Sequence, residues 1–241
     1  MHRAKGAALQ VGGLVAFSAT DFPGCLSAVV FVQGCPWRCG YCHNPHLQSR
    51  RSAAQRGWAD VLRWLQQRQG LLDAVVFSGG EPCADPQLAA AVNQVRALGF
   101  KVGLHTAGIY PRRLAEVLPL LDWVGLDIKT APERYADITQ VPDSGDAAWE
   151  CAHLLLASGV AHEFRTTVHP AFHSEASLRA LARRLRSLGA RHYVLQEFRP
   201  TGCHSAELNA QALAALGQSL VTAALKAELT ASFECFAYRA A

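Results

Sequence analysis

No stretch of this chain approaches the roughly 18 consecutive apolar residues that a membrane-spanning helix needs, although half of its 241 residues are apolar. The opening Met1-His2-Arg3-Ala4-Lys5-Gly6 is not followed by the apolar core of a secretory leader. The expected location is the cytoplasm, with no membrane partner. Charge asymmetry is missing too: the formal net charge is +4 and the basic residues are scattered, so nothing points to nucleic acid. The densest basic segment, Gln48 to Arg56, could serve as a docking surface but reads first as a solvated loop. Charged residues make up only 17% of the chain, against a disordered or fibrous protein, and no linker-like stretch interrupts it. A single domain over 1–241 is expected, its core at about 21–200. The eight cysteines do not read as a disulfide framework, because three of them crowd into the window 35–42 and the chain is too large to need staples.

Short β-branched apolar runs alternate six times with longer amphipathic ones, the pattern of a parallel sheet covered by helices. Strands are expected at Ser27 to Gly34, Asp73 to Gly80, Lys101 to Gly108, Trp123 to Thr130, His162 to Val168 and His192 to Pro200, with an extra one near Leu229 to Glu234. Helices are expected near Trp58 to Gln69, Pro86 to Leu98, Pro111 to Leu118, Ala147 to Ser158, Glu175 to Leu188 and Ser205 to Ala227. The class is α/β, and a partial (β/α)6 barrel is the favoured architecture. Ligands of such folds bind at the carboxyl ends of the strands. Those ends carry the three cysteines, Ser78-Gly79-Gly80-Glu81-Pro82, His105-Thr106-Ala107-Gly108, Asp127-Ile128-Lys129, Arg165-Thr166-Thr167 and Gln196-Glu197-Phe198-Arg199.

Cys35, Cys39 and Cys42 place three thiols in one loop with no fourth cysteine nearby. A structural zinc site takes four protein ligands and an ordinary four-iron cluster four cysteines, so a triplet leaves one metal position open for a small ligand. His43 and His46 offer a zinc alternative.

The C-x3-C-x2-C spacing with an aromatic, Tyr41, before the last cysteine resembles the radical S-adenosylmethionine (SAM) superfamily, and the resemblance extends from Asp21 to about Arg199. It implies that Cys35, Cys39 and Cys42 hold three irons of a [4Fe-4S] cluster whose fourth iron is chelated by SAM, that Tyr41 lies near the adenine, and that Gly79-Gly80-Glu81 serves the methionine amino group. Asp21-Phe22-Pro23-Gly24, Phe31-Val32-Gln33-Gly34-Cys35 and Tyr41-Cys42-His43-Asn44-Pro45 are similar to the glycyl-radical-enzyme activating proteins. Phe22, Arg165-Thr166-Thr167-Val168 and Leu195 to Pro200 resemble the activators of anaerobic ribonucleoside-triphosphate reductase. The implied reaction passes one electron, from a donor such as flavodoxin or ferredoxin, through the cluster into SAM. The resulting 5′-deoxyadenosyl radical takes a hydrogen atom from a glycine of the partner.

Several side chains carry two readings. The glycines of Gly79-Gly80 also suit a plain strand-to-helix turn, and Glu81 can serve strand-end amides or the SAM ammonium. Asp127 and Lys129, two positions apart on one face, contact SAM by resemblance or pair with each other. Arg165 and Arg199 suit a carboxylate of SAM or salt bridges at the barrel mouth. Thr106 keeps its place in the third strand-end motif, but His105 stands where many activators carry aspartate. Cys25, Cys83, Cys151, Cys203 and Cys235 read as buried or incidental thiols. Two other classes remain open: a radical SAM enzyme acting on a small molecule, such as a carboxydeazaguanine synthase, and a non-catalytic iron-sulfur or zinc module.

Overall fold

The computed structural model describes residues 8–51, 56–215, 217 and 219–240. Its elements run β1 (Val11–Ser18), β2 (Ser27–Val32), α1 (Trp58–Gln66), β3 (Ala74–Gly79), α2 (Leu88–Ala97), β4 (Lys101–Thr106), α3 (Pro111–Val117) and β5 (Trp123–Asp127). They continue with α4 (Tyr135–Thr139), α5 (Ser144–Ser158), β6 (Ala161–Val168), α6 (Glu175–Ser187), β7 (His192–Glu197), α7 (Ala206–Ala214), α8 (Ala223–Ser232) and β8 (Cys235–Arg239). The sheet order is β1 to β8 in sequence, with β1 antiparallel to β2 and every later pair parallel. The six expected βα units form the partial barrel, and the sheet is not closed. No helix among the described residues is long and apolar enough to cross a membrane.

Two expectations are corrected, and one strand had no counterpart among them. The extra strand is β8, because Leu229 packs as a buried residue of α8. The helix expected over Ser205 to Ala227 is two helices, and positions 216 and 218 between them lie outside the described residues. The N-terminal strand β1 went unpredicted, since Gly12 and Gly13 dilute its β signal. In the basic segment Gln48 to Arg56, positions 52–55 lie outside the described residues. Arg50 there is more than a solvated charge, pairing with the buried Asp85 at 3.3 Å.

Side chains alternate across each strand, and this period of two sorts the core from the site. Ala28, Val30, Val32, Val75, Phe77, Val102, Leu104, Val124 and Leu126 point outward into the main core, against helix stripes such as Val61 and Leu65 of α1 and Leu178, Leu181 and Leu185 of α6. The intervening residues face the barrel interior. Its floor is apolar, with Val29, Ala74, Val76 and Trp123 plugged by Phe22, whose ring lies 5.7 Å from that of Trp123. The next interior layer toward the strand ends is polar: Ser78, His105, Asp127, Arg165, Thr167 and Gln196 all line one cavity.

Candidate active site

The cavity has a volume of about 690 Å³ and lies at the carboxyl ends of the strands. Cys35, Cys39 and Cys42 form one part of its wall, with Tyr41, Gly79, Gly80, Thr106, Asp127, Lys129, Arg165 and Arg199 around the rest. Of the residues proposed from sequence, Glu81 alone is not on the wall.

The cysteine loop is held by its backbone. Gly34 N–H donates to Leu47 C=O at 2.7 Å and Cys35 N–H to Gln48 C=O at 3.0 Å. The buried Gln33 amide donates to the His46 and Ser49 carbonyls at 3.1 and 2.7 Å. On its far side the loop docks on α4, with Arg38 N–H donating to Thr139 C=O and Gly40 N–H to Ile138 C=O. Gly79 has φ +121°, and a Cβ there would fall 2.4 Å from Val32 N; one on Gly80 would fall 2.4 Å from Gly34 O. The close approach that demands these glycines is therefore between the end of β3 and the start of the cysteine loop.

Glu81 is wholly buried. Its Oε1 accepts from Cys83 N–H at 3.0 Å and Thr106 Oγ1–H at 2.7 Å, and its Oε2 from Ala107 N–H at 2.9 Å. Strand-end groups engage both oxygens, and the carboxylate ties β3 to β4 behind the cavity. Burial pushes its carboxyl up, partly offset by these hydrogen bonds.

Asp127 accepts from Arg165 Nε at 2.9 Å and lies 4.0 Å from Lys129 Nζ. The charged strand ends thus pair with one another and face the cavity at once. Burial pushes the Asp127 carboxyl up, but the Arg165 guanidinium and then Lys129 outweigh it and hold the group below the usual carboxylate range. Gly125 makes room for this pair, since a Cβ there would fall 2.7 Å from Arg165 Cζ. Lys129 Nζ also sits 5.6 Å from the Tyr41 ring centroid. Arg199 is exposed at the rim, where its carbonyl accepts from His43 Nε2 at 2.9 Å. His105, the departure from the family pattern, holds Asp21 C=O through Nε2 at 2.9 Å, and burial, aided by Arg165, pulls its pKa down to about 3. The neutral imidazole thus anchors the Asp21-Phe22-Pro23-Gly24 segment beside the cavity.

The donor set fits a thiolate-bound cluster. Among the described residues no three His, Cys, Asp or Glu side chains are gathered closely enough to hold a single metal ion. A cluster needs each thiol to meet its own iron. Burial pushes the Cys35 thiol up to about 12, with the Glu81 charge adding to it, and burial raises Cys39 as well. Both are protonated in the metal-free chain and must give up protons on metal binding. Tyr41 Oη, buried in the cavity wall, has no hydrogen-bond partner among the described residues, a polar atom left for a bound group.

The model of the radical SAM superfamily matches residues 29–185, and the chain belongs to that superfamily. A protein of Methanocaldococcus jannaschii described as a glycyl-radical enzyme activating enzyme is 27% identical over 82% of this chain and 83% of its own length. The pyruvate formate-lyase-activating enzyme of Clostridium pasteurianum is 30% identical over 50% of this chain, which spans 52% of that relative. Among solved structures, QueE from Escherichia coli superposes with TM-score 0.51 at 15% identity over 87% of this chain and 90% of its own. SuiB of Streptococcus suis bound to S-adenosylmethionine superposes with TM-score 0.65 at 14% identity over 87% of this chain, which spans 48% of SuiB. At these identities the two structures speak for the fold. The superfamily's cofactors are a [4Fe-4S] cluster and SAM, and they are the cofactors of this chain.

Trp37, Gln196 and Arg239 also line the cavity; sequence reasoning placed Gln196 at a strand end without giving it a role and did not single out the other two. The period of two within the strand ending at Glu197 was the available signal for Gln196; Arg239 lies on β8, which was misplaced.

Proposed function

We propose that this chain is an activating enzyme that installs a glycyl radical on a partner enzyme. Cys35, Cys39 and Cys42 hold the cluster, while Asp127, Lys129, Arg165, Arg199 and Thr106 position SAM along the strand ends, with Tyr41 against its base. The observation that carries this reading is the union, in one cavity of an unclosed barrel, of the three thiols with the charged strand ends. The similarity to the Methanocaldococcus jannaschii protein over most of both chains supports it.

When bound, the cluster and SAM supply a one-electron reductive cleavage whose 5′-deoxyadenosyl product removes a hydrogen atom. The chain's own residues bind, orient and exclude. Asp127 fixes the direction of the Arg165 and Lys129 cations, and the apolar floor of Phe22, Val76 and Trp123 closes the barrel beneath the site. No nucleophile or general base is needed.

For the partner, we propose anaerobic ribonucleoside-triphosphate reductase, with flavodoxin or ferredoxin as the electron donor, on the resemblance of the Arg165 to Val168 and Leu195 to Pro200 segments. Phe22 belongs to the same resemblance and also fills the barrel floor. The test is electron paramagnetic resonance of the reconstituted protein mixed anaerobically with the reductase, SAM and a one-electron reductant. A glycine-centred doublet that vanishes without SAM is expected. A doublet formed only with a pyruvate formate-lyase homologue would overturn the partner; no protein radical despite SAM cleavage would overturn the activating role. In that event a small-molecule substrate becomes the better reading, one favoured by the 31% identity over 51% of this chain to the 7-carboxy-7-deazaguanine synthase of Methanopyrus kandleri.

A further inference from the structure

Lys129 follows the end of β5, where no strand partner fixes its side chain, yet its ammonium is held between the Tyr41 ring and Asp127. Its backbone is clamped from both sides. Its N–H donates to Tyr135 Oη at 2.9 Å, and its carbonyl lies 2.9 Å from His173 Nε2. The Lys129 carbonyl can only accept, so Nε2 carries the hydrogen and donates to it; Nδ1 of the neutral ring then accepts from the His169 N–H at 3.2 Å, the His169 carbonyl lying 3.3 Å away. Tyr135 and His173 are both buried, and neither lines the cavity.

Tyr135 opens the five-residue helix α4, and the same helix receives the cysteine loop. Arg38 N–H and Gly40 N–H donate to the Thr139 and Ile138 carbonyls at 3.0 and 3.2 Å, and the Trp37 ring meets that of Tyr135 edge-on at 5.9 Å. Thr139 Oγ1 donates back to the Tyr135 carbonyl at 3.0 Å, closing the helix on itself. One rigid turn of chain therefore touches the cluster loop with its carbonyls and the Lys129 backbone with a phenol.

We propose that Tyr135 and His173 are positioning residues that set Lys129 in register with the cysteine loop, so that SAM binding depends on two buried side chains outside the cavity. The inference rests on the reading of Lys129 as a SAM contact. Removing the phenol oxygen leaves the buried Lys129 N–H without a partner and frees the strand end to shift. The loop contacts run through backbone carbonyls and a ring, which Tyr135→Phe retains.

The experiment uses the full chain, reconstituted anaerobically, in five forms: parent, Tyr135→Phe, His173→Leu, His173→Asn and Lys129→Met. Iron per chain, the thermal midpoint and the SAM concentration that half-converts the resonance signal of the reduced cluster are measured for each. Tyr135→Phe and His173→Leu should keep the parental iron content and require roughly tenfold more SAM, the equivalent of about 1.4 kcal/mol. His173→Asn, which restores a donor, should recover part of the loss. Loss of iron in Tyr135→Phe, or a parental SAM midpoint in both positioning variants while Lys129→Met is impaired, overturns the positioning role and leaves the active-site reading standing. A parental midpoint in Lys129→Met overturns both. None of these measurements involves a partner enzyme, so the outcome is independent of whether a glycyl radical is ever formed.

Discussion

Replacing Asp127 by asparagine removes the one carboxylate that Arg165 and Lys129 share. Arg165 loses a 2.9 Å charged hydrogen bond and keeps only a long contact, 3.3 Å, to the Gly125 carbonyl. Its side chain is 9% exposed and that of Lys129 10%, so each cation has only its cavity-facing edge open to water. A charged hydrogen bond contributes about 1.5–3 kcal/mol, and breaking a buried pair costs about 3–5 kcal/mol. The carboxylate itself is 31% exposed, and the asparagine oxygen still accepts weakly, which places the expected loss near the lower figures, at about 2 kcal/mol. In urea, with a slope of about 2 kcal/mol/M, that moves the midpoint by roughly 1 M. The pH dependence follows in sign. Because the folded carboxyl is held below its unfolded value of about 3.9, its contribution is fully present above that value and is lost as pH falls through the folded one. The variant should therefore lose less stability than the parent on acidification. The decisive assay is a double-mutant cycle with Arg165→Met on the metal-free chain. A coupling of 1 kcal/mol or more, on the order expected for groups in contact, is predicted; losses that add within about 0.5 kcal/mol would refute the pairing.

Changing Cys35, Cys39 or Cys42 to alanine should each abolish the cluster, whereas Cys151→Ala and Cys235→Ala should leave iron and sulfide counts at the parental level. Gly80→Ala should destabilise the chain by several kcal/mol, because its Cβ meets the Gly34 carbonyl at 2.4 Å. Gly159→Ala, at φ +73° with nothing within 4 Å, should cost only about 1–2 kcal/mol, so denaturant midpoints that rank them the other way contradict the packing described. Gln33→Ala deletes two hydrogen bonds that close the cysteine loop and should cost about 1–3 kcal/mol; iron loading measured against temperature should fall before the fold does.

The barrel was legible because its strands carry short β-branched or aromatic apolar runs, such as the first four residues of Ala74–Gly79, set between longer amphipathic helical runs. The cysteine triplet was legible because its spacing is local. Asp127 and Lys129 followed from the period of two, and the structure places both on the cavity. What sequence could not supply were contacts made through backbone. Helix α4 is five residues long, too short to show a hydrophobic period, and Tyr135 and His173 act on Lys129 through its amide and carbonyl, which no side-chain pattern records. Glu81 shows the same limit: its motif was visible, but only the fold reveals that it accepts hydrogen bonds from Cys83, Thr106 and Ala107. Phe22, taken as a mark of the partner, belongs to the barrel floor because Gly103 leaves space there, with a Cβ falling 3.0 Å from the Phe22 ring.

The central claim is that a hydrogen atom leaves a glycine of another protein and ends on the 5′ carbon of deoxyadenosine. It is tested most directly by preparing the proposed partner, anaerobic ribonucleoside-triphosphate reductase, with glycine deuterated at Cα, mixing it anaerobically with the reconstituted chain, SAM and reductant, and weighing the released 5′-deoxyadenosine by mass spectrometry. One deuterium per 5′-deoxyadenosine is predicted, with the label absent when any of Cys35, Cys39 or Cys42 is replaced by alanine; 5′-deoxyadenosine formed without deuterium while the partner retains its label would contradict it.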